Sequence, residues 1–156
     1  LGGIAKGYAV DRACKVLSKH GIEKALVNIG GDLRAMGPES WKVGIRDPRK
    51  NDELLGKIEL ENMAVVTSGD YRRYYLLGSR RIHHIINPKT GRPAEGSISV
   101  TLLAKTCMKA DALSTGIFVN GSKKGSKILN SMKIPGLIID SNERIIESEK
   151  WDYDIG

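Results

Sequence analysis

The chain has 156 residues, of which 28% are charged and 40% hydrophobic, as expected for one ordinary globular domain. Its formal net charge of +7 favours anionic partners such as a nucleotide. Aromatic residues make up only 5%, and the basic pairs are scattered rather than interleaved with stacking residues, which argues against a nucleic-acid-binding protein. No apolar run approaches the roughly 18 residues needed to cross a bilayer.

The spacing of apolar residues and the positions of Gly and Pro predict the secondary structure in chain order. Helices are predicted over residues 4–20, 108–119 and 124–132, with Gly21 and Gly121 ending the first two. Strands are predicted over residues 25–29, 33–36, 41–45, 57–61, 63–67, 71–77, 80–86, 97–104, 136–139 and 144–147, with a polar loop over 49–56. This order indicates a single α+β domain over residues 1–156, with helices packed on a largely antiparallel sheet.

A carboxylate and a hydroxyl lie one turn apart in the second predicted helix. Asp111 and Thr115 are four residues apart, so their side chains share one helix face. Two hard oxygens at this spacing suit Mg2+ or Ca2+, and Mg2+ usually completes its shell with phosphate and water. A solvated helix face can show the same pair, so the prediction of a metal site depends on the neighbouring motifs.

Two glycine pairs would let a ligand approach the backbone closely. Gly30 and Gly31 interrupt a predicted strand, where they either admit a ligand or form a β-bulge. Gly2 and Gly3 precede a helix whose free N–H groups favour phosphate, with Lys6 one turn in; a helix start with a surface lysine is the alternative. No GxxxxGK[ST] motif occurs, so a P-loop hydrolase is set aside.

Two histidines are neighbours near the end of a predicted strand. Because side chains alternate along a strand, His83 and His84 point to opposite faces and cannot act as one pair. Either could be structural or exposed. Only a histidine on the face shared with Asp111 could act as a base beside the predicted metal site.

Five segments, in this order, resemble the ApbE family of FAD:protein FMN transferases. They are LGGIAKGY at residues 1–8, VNIGGD at 27–32, VTSGDY at 66–71, HIINPKTG at 84–91 and ADALST at 110–115. The resemblance implies a T-fold-like structure and an enzyme that uses Mg2+ and takes FAD as its substrate. Such an enzyme attaches FMN through a phosphoester to a Thr of an acceptor protein and releases AMP. An FAD pyrophosphatase giving FMN and AMP, or a non-catalytic FAD-binding protein, is the alternative.

The resemblance also implies roles for individual residues. Asp111 and Thr115 would be side-chain ligands of Mg2+, and the carbonyl of Gly3 would be a backbone ligand. His84 would be the catalytic base that takes the proton of the acceptor hydroxyl. We therefore expect substitution of Asp111 or Thr115 to weaken Mg2+ binding with the fold intact, and substitution of His83 to be mild.

A second group of residues falls in segments that line the FAD pocket of the family. By the same resemblance, these cofactor-binding residues are Lys6, Gly30, Gly31 and Asp70. Asn87 stands where the family has Asp, so the resemblance gives no charged role to that position.

The resemblance covers the C-terminal half of a typical family member, so we expect residues 1–156 to lack the N-terminal part. The implied partners are FAD and acceptor proteins that carry a target Thr, such as subunits of membrane redox complexes. Family analogy further implies an extracytoplasmic location, periplasmic or membrane-anchored, with membrane association only through an N-terminal anchor outside this sequence.

Overall fold

The computed structural model of the chain describes residues 2–50, 52–78 and 80–155, with Arg80 described by its backbone alone. Leu1, the first residue of the N-terminal motif, lies outside this range. Helix α1 spans Ala5–Lys19 and helix α2 spans Cys107–Met132. The strands are β1 (Ala25–Ile29), β2 (Asp32–Met36), β3 (Ser40–Arg46), β4 (Leu54–Glu61), β5 (Ala64–Gly69), β6 (Tyr74–Leu77), β7 (Arg80–His83), β8 (Ile86–Asn87), β9 (Arg92–Pro93), β10 (Ser99–Ala104), β11 (Gly136–Ile139) and β12 (Ile145–Glu147).

Six of these strands form one sheet in the order β1-β2-β5-β10-β11-β12, and every pairing in it is antiparallel. Three antiparallel ribbons, β3–β4, β6–β7 and β8–β9, accompany the sheet. The predicted α+β class with an antiparallel sheet is therefore confirmed. Neither helix, among the residues described, is long and apolar enough to cross a membrane.

The central sheet is the middle layer of three. On β5, Val65 packs with Ile58 of the β3–β4 ribbon, whereas its neighbour Val66 packs with Val10 of α1. On β10, Leu102 packs under Phe118 of α2. Because successive strand residues face opposite sides and both sides are covered, the residues of β5 and β10 are buried or half-buried along the whole length of both strands.

A glycine breaks α2 in its middle. Gly121 has φ 73° and ψ 168°, outside the helical region, which accounts for the two helices predicted over 108–119 and 124–132. The break fits against the Glu95–Gly96 backbone. A Cβ on Gly121 would lie 3.3 Å from the Glu95 carbonyl oxygen, and the Ser122 N–H donates to the Gly96 carbonyl at 3.2 Å.

The two helices cap each other. The carboxylate of Asp11 in α1 accepts hydrogen bonds from the N–H groups of Cys107 and Met108, both at 2.9 Å, at the start of α2. In return Asp111 of α2 accepts from the Gly7 N–H in the first turn of α1 at 3.0 Å. Helix N-termini carry unpaired N–H groups and partial positive charge, so each carboxylate stabilises the helix it faces.

Gly7 makes this crossing possible. A Cβ on Gly7 would lie 2.5 Å from the Cys107 carbonyl oxygen and 2.7 Å from the Met108 Cα, both backbone atoms that cannot move aside alone. The absence of a side chain therefore lets the N-terminal turns of the two helices touch directly.

We predict that Gly7→Ala lowers the free energy of unfolding by about 1–3 kcal/mol, because the new methyl group forces the helices apart. Gly116→Ala is the matched control, since Gly116 also lies in a helix but a Cβ there would meet nothing within 4 Å. Removing the flexibility of Gly116 should stabilise the protein by about 0.5–1 kcal/mol. Urea unfolding followed by circular dichroism measures both changes, and equal effects of the two substitutions would contradict the close crossing.

Candidate active site

Three elements that are distant in sequence meet at one hydroxyl group. Gly3 precedes α1 and packs on Thr115 of α2, so that a Cβ on Gly3 would lie 3.2 Å from the Thr115 Oγ1. Ser68, near the end of β5, has its Oγ 3.2 Å from the Thr115 Oγ1 and 2.8 Å from the Ser114 Oγ. The N-terminal motif, the β5 motif and the α2 motif therefore converge in the folded chain.

Asp111 lies one helical turn before Thr115 and is only 3% exposed. Its Oδ2 accepts the hydrogen bond from the Gly7 N–H, so the carboxylate supports the α1–α2 contact. Alanine at this position would leave that buried N–H without a partner, which costs about 1–3 kcal/mol. Contrary to the expectation from sequence, Asp111→Ala should therefore disturb the fold.

A cavity of about 550 Å³ opens beside this cluster. Five of the predicted site residues line it, namely Gly3, Lys6, Gly30, His84 and Thr115. The rest of its lining is Gly2, Ala5, Thr67, Ser68, Gly69, Arg72, Arg73, Ile85 and Ile86. A larger groove of about 950 Å³ runs along α1, but none of the predicted site residues lines it.

Lys6 reaches from α1 into an ion pair with a buried carboxylate. Its Nζ lies 2.5 Å from the Oδ1 of Asp32, the first residue of β2, whose side chain is 0% exposed. Burial raises the pKa of Asp32; Lys6 acts in the opposite direction, and the nearby charge of Asp111 adds to the rise. Asp32 belongs to the GGD motif, but no role for it was predicted from the sequence. The feature of the sequence that could have indicated a role for Asp32 is its position directly after two glycines.

Gly30 and Gly31 form the two-residue turn between β1 and β2. Their φ angles are 60° and 93°, which favours glycine at both positions and matches the tight turn of a β-hairpin. The sequence left two alternatives for these glycines, a ligand approach or a β-bulge. The structure shows a hairpin turn here rather than a β-bulge. The guanidinium of Arg72 donates to the Gly30 carbonyl and fills the space that a Gly31 side chain would need. Only Gly30 lines the cavity described above; Gly31 lines a smaller one near β3.

Asp70 is held in ion pairs rather than lying open to the cavity. Both of its oxygens accept from Arg49 at 2.8 Å, and Arg81 donates to Oδ1 at 3.3 Å. This pairing raises the pKa of Arg49 and fixes the turn that follows β5. Because Asp70 is 7% exposed and does not line the cavity, contact with FAD at this position stays a prediction.

The two histidines have different environments, because His83 ends strand β7 and His84 lies in the bend that follows it. His83 is 7% exposed and packs edge-to-face on Phe118 with ring centroids 5.5 Å apart. Its Nε2 donates to the Ala94 carbonyl at 3.0 Å and its Nδ1 accepts from the Ile85 N–H at 3.3 Å, so both ring nitrogens are used. Burial lowers the pKa of His83, so the ring is kept neutral. Its substitution should therefore not be mild.

His84 is exposed in the bend after β7, where the strand predicted over 80–86 is interrupted. Its Nδ1 lies 3.2 Å from the Arg73 carbonyl oxygen. Since a carbonyl can only accept, Nδ1 carries the proton and Nε2 is left as the basic nitrogen. Of the two rings, only that of His84 lines the cavity and has a nitrogen available for proton transfer.

No group of three or more His, Cys, Asp or Glu that could hold a metal occurs within residues 2–50, 52–78 and 80–155. A Mg2+ ion requires fewer protein ligands, because it keeps waters and binds substrate phosphates. Asp111, Thr115 and the Gly3 carbonyl provide oxygen atoms of the hard type that Mg2+ prefers, and the missing side chain of Gly3 leaves room beside the Thr115 hydroxyl. These residues fit such an ion.

We predict that His83 makes stability depend on pH. A histidine whose pKa is lowered by folding contributes stability above its unfolded pKa near 6.5, and this contribution is lost as the pH falls. The free energy of unfolding should therefore decrease from about pH 7.5 to about pH 5.5, by at most about 1.4 kcal/mol per pH unit. Urea unfolding should show a smaller pH dependence for His83→Gln. His84→Gln is the control, and a wild-type slope in the His83 variant would contradict the assignment.

The fold and the convergence of the glycine, serine and Asp-Thr motifs define a family. The ApbE family model matches residues 1–138, and the chain belongs to this family. It is 40% identical over 145 residues to the FAD:protein FMN transferase of Vibrio cholerae, covering 89% of this chain and 43% of that protein. It is 36% identical over 135 residues to the FAD:protein FMN transferase of Escherichia coli K12, covering 83% and 38%. The resemblance found in the sequence is confirmed.

Solved structures agree with this membership. The fold matches the ApbE protein of Thermotoga maritima with a TM-score of 0.90 and 42% identity, covering 97% of this chain and 51% of that one. It matches the flavinyl transferase ApbE of Pseudomonas stutzeri with a TM-score of 0.80 and 32% identity, covering 96% and 49%. The chain therefore spans about half the length, or less, of these relatives.

Proposed function

We propose that this chain forms the metal- and pyrophosphate-binding part of an FAD:protein FMN transferase. The observation that carries the proposal is that Gly3 and Thr115 line one cavity together with Lys6 and His84. Asp111 lies behind this lining, one helical turn before Thr115, where it bonds to the first turn of α1. Relatives that carry this name, at 35–40% identity, support it.

The cavity suits the pyrophosphate of FAD. Ile4, the N-cap residue of α1, makes no side-chain capping hydrogen bond, and the positive end of the helix faces the site. Lys6, Arg72 and Arg73 line the same cavity, so basic side chains surround the space where a dianionic group would bind. A dinucleotide would be oriented by these charges.

Asp111, Thr115 and the Gly3 carbonyl would hold Mg2+ at this position. When bound, Mg2+ neutralises phosphate charge and makes the phosphorus easier to attack. Lys6 would bind a neighbouring phosphate oxygen as a point charge and stabilise the charge that develops as the pyrophosphate is cleaved.

His84 would act as the general base. Its Nε2 would take the proton from the hydroxyl of the acceptor Thr, while the Nδ1–H bond to the Arg73 carbonyl holds the ring. The Thr oxygen would form a bond to the phosphorus of the FMN half, and the bond between that phosphorus and the bridging oxygen would break. AMP leaves with the bridging oxygen, and FMN remains on the acceptor as a phosphoester.

The exposure of His84 supports a protein substrate, because a base that serves a side chain of another protein must lie at the surface. We extend the proposal to acceptors that are subunits of membrane redox complexes, outside the cytoplasmic membrane, on the basis of the family resemblance. An FAD pyrophosphatase would use the same residues with water in place of the Thr hydroxyl.

We predict that His84→Ala lowers FMN transfer about 100- to 10,000-fold and largely spares FAD binding, because only proton transfer is lost. The full-length protein is incubated with FAD and a membrane fraction from its own cells. AMP is measured by chromatography and protein-bound flavin by in-gel fluorescence. His20→Ala, an exposed histidine at the far end of α1, is the control and should keep full activity.

The same assay separates the alternative functions. AMP release that requires the membrane fraction and accompanies flavin-labelled protein supports the transferase. Equal AMP release without it indicates a pyrophosphatase, and FAD binding with no AMP release indicates a binding protein. Unchanged transfer by His84→Ala would remove His84 from the mechanism.

We predict that Asp111→Asn and Thr115→Val each raise the Mg2+ concentration needed for half-maximal AMP release by at least about 10-fold. Asparagine keeps an oxygen for the Gly7 N–H, and valine keeps the shape of threonine, so loss of folding is minimised. Thr101→Val is the matched control, because Thr101 is a buried threonine of β10 that bonds to Thr67 and does not line the cavity. An unchanged Mg2+ requirement in both site variants would exclude this metal site.

A further inference from the structure

The carboxylate of Asp32 is the least satisfied acidic group at the candidate active site. The residue is 0% exposed, and its Oδ1 pairs with Lys6. Its Oδ2 is buried and has no hydrogen-bond partner in the described structure. A buried carboxylate oxygen without a donor is costly and rare, so this atom calls for a ligand that the protein alone does not supply.

The position of Asp32 indicates what that ligand is. Lys6 and Gly7 are consecutive in the first turn of α1; the Lys6 side chain pairs with Asp32, and the Gly7 N–H pairs with Asp111. Asp111 also lies close enough for its charge to act on Asp32. Two buried carboxylates therefore face one helical turn. Lys6 pairs with Asp32, and the positive charge of Arg72 also acts on Asp32. Neither cation bonds to the Oδ2 of Asp32, so this oxygen is left for a further donor.

An ion pair with Lys6 that served only the fold would explain one of the two carboxylate oxygens of Asp32 and not the other. The contact with Lys6 needs a single carboxylate oxygen, and an oxygen of asparagine could replace it. The second oxygen adds an unpaired, buried acceptor next to the predicted metal ligands, which destabilises the protein unless something donates to it. Mg2+ keeps several of its waters when bound to proteins, and such waters are strong donors.

We propose that Asp32 is a positioning residue for the metal site: its Oδ1 fixes Lys6 at the cavity, and its Oδ2 accepts a hydrogen bond from water carried by the Mg2+ at Asp111 and Thr115. The inference rests on the proposed function, because it requires that metal site. Carboxylates that orient the surroundings of a metal commonly change its affinity about 10–100-fold.

The test measures metal binding without FAD or turnover. Mn2+, which replaces Mg2+ and is detected by electron paramagnetic resonance, is titrated into the full-length protein. Asp32→Asn should weaken Mn2+ binding about 10- to 100-fold, while its melting temperature without metal stays equal to wild type or rises. Lys6→Gln should not weaken Mn2+ binding, because it removes a competing cation and leaves the acceptor oxygens in place.

Asp140→Asn is the matched control. Asp140 is also buried, and it pairs with Arg144 at the turn between β11 and β12, outside the lining of the cavity. This variant should lose stability but bind Mn2+ with wild-type affinity. If Asp32→Asn does not fold, Asp32→Ser, with a smaller neutral side chain, should show the same loss of Mn2+ affinity.

The outcomes separate this inference from the proposed function. Wild-type Mn2+ affinity in the folded Asp32 variant, together with weakened binding in Asp111→Asn, would overturn the role of Asp32 and leave the metal site standing. Wild-type affinity in Asp111→Asn would overturn the metal site and this inference together. A loss in Asp32→Asn that Asp140→Asn shares would mean a general effect of lost charge, and would also overturn the inference.

Discussion

The candidate active site depends on the close crossing of α1 and α2 at Gly7. Where the helices touch, Asp11 caps α2 and Asp111 caps α1, so each N-terminus is paired with a carboxylate from the other helix. The same docking brings Gly3 against Thr115, although 111 residues separate them in the chain. The contact that packs the two helices therefore also positions the predicted metal ligands, and a change in the crossing would move them.

Negative and positive side chains occupy different sides of this crossing. Asp111 and Asp32 are buried on the protein side, whereas Lys6, Arg72 and Arg73 line the cavity. A dinucleotide that binds together with a divalent cation would complement both sets of charges. The cation would reach the carboxylates, and the phosphates would reach the basic side chains. Without the cation, the buried carboxylates would repel the pyrophosphate. Under the proposed function, binding of FAD would therefore depend on the metal.

Local patterns in the sequence were sufficient for the class of fold, and five of the residues that they singled out line one cavity. The strands over residues 25–29 and 136–139 have the predicted bounds, since each is a short apolar segment bounded by polar residues or glycine. The predicted separation of His83 from His84 is present, but its cause differs, because β7 ends at His83 and His84 lies in the bend that follows. These features depend on residues that are close together along the chain, so they can be predicted from the sequence.

The features that sequence reasoning missed depend on partners that are distant in the chain. The pairing of Asp70 with Arg49 joins two loops that no local pattern links, while contact of Asp70 with FAD stays a prediction. The burial of His83 depends on Phe118, and the role inferred for Asp32 depends on its contact with Lys6. Each of these features can be recognised only in the folded chain, because it depends on which groups become buried and which become paired.

The break at Gly121 divides α2 into two parts. The part before it carries Asp111 and Thr115, and the part after it packs Leu129 against the sheet. A continuous helix would pass any shift of its C-terminal end along a rigid rod to the carboxylate. The break, held by the Gly96 backbone, interrupts that rod. The spacing of Asp111 and Thr115 is set within the first part alone, because both residues lie before Gly121.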